Sequence, residues 1–199
     1  MVIPPRRWAV PCPEECLCFE SGYNIDSAGS GLNSIPPILP KNVGTLKLDD
    51  NNVTIFENDS FVSRGLVNLV ILSAGFCKIR RIELGAFNGL TNLTYLSMYG
   101  NEISEIIPGT FEKLRSLENL DLARNIIEHL EFDTFSGLVN VKYTRLLGNE
   151  LQYLHPDTFV GLPNLQNLHL SHNTGLQIPT DRHFISSHSL NISVYQAAV

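Results

Sequence analysis

Between Leu93 and Leu165 the chain states one pattern three times over, at a fixed step of 24 residues. The first copy runs Leu93, Leu96, Met98, Asn101 and Ile103, with Phe111 and Leu114 further on. Leu117 opens the second, through Leu120, Leu122, Asn125, Ile127, Phe135 and Leu138. Val141 opens the third, through Thr144, Leu146, Asn149, Leu151, Phe159 and Leu162. Looser copies flank these. They start at Val43 (Leu46, Leu48, Asn51, Val53), Leu69 (Leu72, Ala74, Cys77, Ile79) and Leu165 (Leu168, Leu170, Asn173). The step from Val43 is 26 residues, because 62–65 carries a two-residue insertion. A unit this short cannot bury its apolar face alone, so the copies must stack into one elongated body. Stacking overrides the one or two separate globular domains that 199 residues would otherwise allow.

Within each unit the apolar residues at positions four and six have period two, which is a short strand with alternate side chains turned inward. Stacked units then place these strands side by side in a parallel sheet, about 4.8 Å apart. The asparagine at position nine turns the chain away, and its amide can satisfy backbone groups exposed inside the stack. Cys77 stands in that place in the second unit, where a buried structural thiol is expected. Phe61, Phe87, Phe111, Phe135, Phe159 and Phe184 fill the far side of the core. That return arm needs more room than the strand, so the stack curves with its strands on the concave side. A seventh unit begins at Leu190 and fails: Ser193 and Tyr195 take apolar positions, while Leu190, Ile192 and Val194 alternate as a plain strand.

The outward positions three, five, seven and eight follow by register. They bring Ile71, Phe76, Tyr95, Tyr99, Tyr143 and Leu147 onto a solvent-facing surface beside Asp121, Arg124, Arg145 and His169. Gly75, Ser97 and Ala123 fall on the same outward rows. Aromatics with arginine on rigid strands are the material of binding hot spots; the plainer alternative is cross-strand packing of exposed tyrosines. Asp121 and Arg145, one strand apart at the same position, should form a lateral ion pair. His169 and His172 could approach each other, but no carboxylate or cysteine lies near them in these rows, so exposed histidines are expected rather than a metal site. No nucleophile elbow, phosphate loop or matched carboxylate pair occurs, so neither catalytic residues nor a cofactor are expected.

Twenty acidic against 14 basic residues leave a net charge of −6, which favours solubility and argues against a nucleic-acid partner. No run of about 18 apolar residues occurs that could span a membrane. Cys12, Cys16 and Cys18 crowd one end, pointing to an oxidising compartment. Four sequons, at Asn52, Asn58, Asn92 and Asn191, agree with secretion. Residues 1–11 read as a flexible lead-in without the apolar core of a signal peptide, as if a leader had been removed or the chain were an excerpt.

Cys12-Pro-Glu-Glu-Cys16-Leu-Cys18, a spacer, and then Leu32-x-x-Ile35-Pro-Pro resemble the cysteine-rich N-terminal cap of extracellular leucine-rich-repeat proteins, over Cys12 to about Lys41. That resemblance implies a Cys12–Cys18 disulfide. It also implies a fourth cysteine where this chain has Ser27, leaving Cys16 unpaired. The repeats, through Leu-Thr-Asn-Leu-Thr-Tyr-Leu at 90–96 and Ile-Pro-Gly-Thr-Phe at 107–111, resemble the variable lymphocyte receptors of jawless fish and their chordate relatives. They are similar also to Slit, Toll-like receptor ectodomains and the small leucine-rich proteoglycans. The expected class is α/β: a leucine-rich-repeat horseshoe with a parallel concave sheet, a cap over 12–42, six repeats over 43–189, and an incomplete repeat or terminal strand at 190–199. No standard C-terminal cap is expected, and an open edge at the Leu165 and Leu190 strands would invite a homodimer. The resemblance implies a secreted or cell-surface module that holds a protein or glycan on its concave face. An immune-type receptor and an adhesion, guidance or matrix module are the two readings.

Overall fold

A computed structural model describes residues 12–19, 23–178 and 191–193 of the chain. The lead-in at 1–11, Phe184, Leu190, Val194 and Tyr195 lie outside these, as does the chain end on which the expected lack of a C-terminal cap rests. Each repeat contributes one three-residue strand to the main sheet, and the first two add a two-residue strand each, which pair with each other. In chain order the strands are β1 (Leu17–Cys18), β2 (Asn24–Asp26), β3 (Thr45–Lys47), β4 (Ile55–Phe56), β5 (Ile71–Ser73) and β6 (Arg81–Ile82). They continue as β7 (Tyr95–Ser97), β8 (Asn119–Asp121), β9 (Tyr143–Arg145), β10 (Asn167–His169) and β11 (Asn191–Ser193). Nine of them form one sheet in the order β1-β2-β3-β5-β7-β8-β9-β10-β11, parallel from β2 onward. The register advances by one repeat per strand, pairing Leu72 with Leu96, Leu96 with Leu120 and Leu120 with Thr144.

The α component expected of the class is almost absent. Among the described residues the only helix is a single 3-10 turn, Val62–Arg64, at the two-residue insertion. Elsewhere the return arm crosses the convex side in turns. Its glycines at 89, 109 and 137 adopt positive φ, which a helix cannot accommodate. The phenylalanines line the core behind the sheet, with Phe61, Phe87, Phe111, Phe135 and Phe159 stacked at centroid spacings of 5.6 to 6.5 Å. Phe56, in a position no other repeat fills with an aromatic, meets Phe61 and Phe87 edge-on.

Asparagine 51, 101, 125, 149 and 173 form a buried column between sheet and return arm. Asn125 is representative: its Nδ2 donates to Leu122 O and to Met98 O of the preceding repeat, both at 3.0 Å. Its Oδ1 accepts Ile103 N–H at 3.1 Å. Each side chain thus joins two repeats through backbone groups that would otherwise be buried unpaired, an omission worth about 1–3 kcal/mol per group. Cys77 occupies the column as a fully buried free thiol, with Sγ donating to Leu48 O at 2.9 Å. Burial pushes this thiol up to about 11.

The cap closes the opposite end of the core. β1 runs antiparallel to β2, Ile25 points inward, and the Cys12–Cys18 disulfide ties the hairpin's approach. Cys16 is free and buried, and Ser27 Oγ donates to its Sγ at 2.7 Å. The serine therefore stands where a bridging sulfur would stand. Ser27→Cys should close a Cys16–27 disulfide, read as loss of free thiol, with stabilisation of up to about 3 kcal/mol as for short loops generally. Persistence of both thiols in the oxidised protein would refute that placement. Cys77 gives a pH test. The unfolded thiol ionises near its ordinary value of 9.0 and the folded one near 11, so the unfolded chain binds fewer protons across that window. Stability should fall as pH rises from 9 to 11, and Cys77→Ala should remove that part of the slope in urea melts.

Candidate recognition surface

Three-residue strands leave two outward side chains each, and exact register gathers them into rows. The first row runs Thr45, Ile71, Tyr95, Asn119, Tyr143, Asn167 and Asn191 across adjacent strands. Ile71 and Tyr143 are exposed, at 37% and 40%, while Tyr95 is half-buried. The tyrosines therefore stand outside the spine, as the alternation requires. The second row runs Lys47, Ser73, Ser97, Asp121, Arg145, His169 and Ser193. Arg145 Nη1 reaches Asp121 Oδ2 at 3.2 Å, forming the expected lateral pair.

Four residues differ from their expected exposure. Gly75, Ser97, Asp121 and Ala123 are buried. On the inside of a curve short side chains are covered by longer neighbours, and Arg145 reaches back over Asp121. The Asp121 carboxylate is also occupied from below, its Oδ1 accepting Ala123 N–H at 3.0 Å. Asp49 is held likewise, its Oδ1 accepting Ser73 Oγ at 2.7 Å and Gly75 N–H at 2.8 Å.

Position eight, at the rim where strand gives way to loop, has a conformation that sequence reading missed. Asp50, Phe76, Gly100, Arg124, Gly148 and His172 all have φ between 52° and 69°, in the left-handed region. The N–H groups of residues 50, 76, 100, 124 and 148 point across to the next repeat, as Phe76 N–H to Tyr99 O at 2.9 Å and Arg124 N–H to Leu147 O at 2.8 Å. The stacking demands this turn at every level, including the levels where the residue is not glycine. Phe76 and Arg124 accept a strain that glycine would avoid, of order 1–2 kcal/mol each. Glycine at the alternate levels makes room for them. A Cβ on Gly100 would lie 2.5 Å from Phe76 Cε1, and one on Gly148 would lie 3.4 Å from Arg124 Cγ. Phe76, 50% exposed, meets Tyr99 edge-on at 5.2 Å, and the Arg124 guanidinium carbon lies 5.5 Å from the same ring's centre. Leu147 and His169 are half-buried nearby in the fold, and Arg124 and His172 are exposed.

The four sequon asparagines are exposed. Asn52 Nδ2 donates to Asn33 Oδ1 at 3.0 Å, and Asn58 Oδ1 accepts Gly85 N–H at 2.8 Å. Asn92 lies in the turn before β7, and Asn191 faces outward in the concave sheet beside Asn167. Among the described residues no group of three or more His, Cys, Asp or Glu side chains is placed to hold a metal ion, and no helix is long and apolar enough to cross a membrane.

The family profile for the leucine rich repeat matches residues 67–127 and 115–174, together more than half of the chain. The chain belongs to the leucine-rich-repeat family. Similar proteins include human leucine-rich repeats and immunoglobulin-like domains protein 3, 32% identical over 61% of this chain and 10% of that protein. Keratocan of Mus musculus is 32% identical over 63% of this chain and 36% of its own length. Human reticulon-4 receptor-like 2 is 31% identical over 59% and 21%. This leucine-rich-repeat chain thus spans about a tenth to a third of the length of these relatives. Among solved structures, human 5T4 (trophoblast glycoprotein) superposes with a TM-score of 0.68 at 21% identity, over 96% of this chain and 82% of that one. TLR13, in complex with ssRNA13, gives 0.69 at 26% identity, over 82% of this chain and 25% of its own.

The rim geometry generates a double-variant test. Gly100→Ala should cost about 1–2 kcal/mol from its φ of +69° alone, and more from contact with Phe76. In a Phe76→Ala background the contact part should vanish. Equal costs in both backgrounds, measured by urea unfolding, would mean that Phe76 does not lie over Gly100.

Proposed function

We propose that this chain is an extracellular recognition module that holds a macromolecular ligand, a protein in preference to a glycan, on the concave face of its sheet. The observation that carries the reading is the rigid outward array of Ile71, Tyr95 and Tyr143 on strands, with Tyr99 in the turn after β7, locked to their neighbours by backbone bonds. A large aromatic held in place loses little freedom on binding, which is why such residues dominate interface energetics. The sequons and the Cys12–Cys18 bond support an extracellular setting, secreted or at the cell surface. The relatives' names include a receptor-like protein, a reading this chain would share. A shallow curved sheet offers no closed pocket for catalysis, and a binding module rather than an enzyme is the reading it favours. The net charge of −6 favours protein over nucleic acid, even though TLR13 is seen with RNA. An immune-type receptor, similar to the variable lymphocyte receptors, is the finer form of the proposal.

An adhesion or matrix module acting through its flanks is the second reading. It draws on exposed convex residues such as Phe132, at 60%, and Leu84, at 54%. A panel of secreted ectodomains screened against the immobilised chain separates the two. Concave binding predicts that Tyr95→Ala with Tyr143→Ala weakens capture at least about a hundredfold, as for paired hot spots, with little change in Tm. Phe132→Ala should leave capture unchanged. The reverse pattern would transfer the function to the convex side.

A further inference from the structure

The rim of the concave face carries a cation with no counter-ion among the described residues. Arg124 has no carboxylate within ion-pair distance among the described residues, whereas Lys47, Arg145 and Lys142 each face one on the adjacent strand or its approach. The two acids nearest in kind do not serve it, since Asp121 is held by Arg145 and Ala123 N–H, and Asp49 by Ser73 and Gly75. Arg124 is also held in place, its backbone fixed in the left-handed region at φ 53° and its guanidinium close to the Tyr99 ring. Phe76 meets that ring edge-on at 5.2 Å, itself at φ 52°. Two bulky, exposed residues held in a strained conformation two levels apart, with Tyr99 between them and Gly100 leaving room for Phe76, make a preformed ridge. An arginine fixed by stacking keeps its donors free for a carboxylate at reduced entropic cost.

We infer that the Phe76–Tyr99–Arg124 ridge is the anchoring subsite for an acidic protein segment, one that places an aspartate or glutamate against Arg124 and an adjacent aromatic or aliphatic side chain against Phe76. The inference rests on the concave face being the binding surface and adds the chemistry of the partner. Charge complementarity carries it: a chain of net charge −6 repels acidic partners in general, so an acidic segment engages best at an uncommitted cation, and among the described residues Arg124 is the one such cation held against an aromatic ring. Arg145 and His169 lie on the neighbouring strands, and Asp26 and Asp49 are paired or hydrogen-bonded within the protein, which leaves the exposed Asp50, one level before Phe76 on the same rim, as the acid that an incoming carboxylate must avoid.

The test uses the full chain and three synthetic polymers: a random glutamate–tyrosine copolymer, polyglutamate, and an uncharged glutamine–tyrosine copolymer. Binding is read by biolayer interferometry at about 150 mM salt, where the general repulsion by the chain's net charge is screened. The glutamate–tyrosine copolymer should bind at least about tenfold more tightly than either of the others, because both the charge and the ring are used. Arg124→Glu should abolish that preference, Phe76→Ala should reduce it to the polyglutamate level, and Arg80→Glu, outside the concave sheet, should leave it intact. No preference for the acidic aromatic polymer, or a preference that survives Arg124→Glu, overturns the inference. If that preference survives Arg124→Glu but is lost with Tyr95→Ala and Tyr143→Ala, the ridge fails while the concave face stands. If it survives all of these and is lost with Phe132→Ala, both fail.

Discussion

One carboxamide per repeat holds this solenoid together. Leaving a strand after three residues exposes carbonyl and amide groups in the middle of the core, where water cannot reach them. The buried asparagine column answers on both sides, each Nδ2 donating to two carbonyls and each Oδ1 accepting an N–H from the previous level. The strands are thereby kept in register, and the register in turn decides which side chains share a row. Cys77 shows how far the column tolerates change. Its thiol keeps the donation to Leu48 O and its sulfur takes a backbone hydrogen bond from Asn51, so it stands in for both ends of the carboxamide between intact levels at Asn51 and Asn101.

The same register explains why the concave face is unlike a row of exposed residues on an ordinary sheet. Parallel strands on the inside of an arc bring long side chains over short ones, so Ser97, Asp121 and Ala123 disappear beneath their neighbours. What remains accessible is a sparser set: Lys47, Ile71, Tyr143 and Arg145 on the open sheet, then Asp50, Phe76, Arg124 and His172 at the rim, with Tyr99 half-buried among them. The rim set owes its prominence to backbone geometry. A turn repeated at every level forces the left-handed conformation on whatever residue sits at position eight, and alternation of bulky residues with glycine keeps adjacent levels from colliding.

Polar departures from the apolar template are handled unequally. Ser27 replaces an expected sulfur and still finds a partner in Cys16, so the cap remains closed by a hydrogen bond. Thr144 replaces the leucine of position four, is fully buried, and its hydroxyl finds no partner among the described protein atoms. Such a group weakens its layer, and it sits directly between Leu120 and Leu168 in the sheet. The convex side compensates with continuous ring stacking from Phe61 to Phe159, which needs no polar satisfaction.

Leucines at positions one, four and six, asparagine at nine and phenylalanine on the return arm were enough, read from the chain alone, to specify the stacked parallel strands, the buried column and the aromatic spine. Those features depend on local period and on which groups avoid water, and both are written in residue type. The Asp121–Arg145 pair and the outward tyrosines were legible for the same reason. The left-handed turn at position eight was not, although the spacing of Gly100 and Gly148 between Phe76, Arg124 and His172 was its trace. Neither the burial of Asp121 nor the placing of Arg124 beside Tyr99 could be read from spacing. Both arise only when curvature sets the distance between side chains of neighbouring levels, and curvature is a property of the assembled stack, absent from any single repeat.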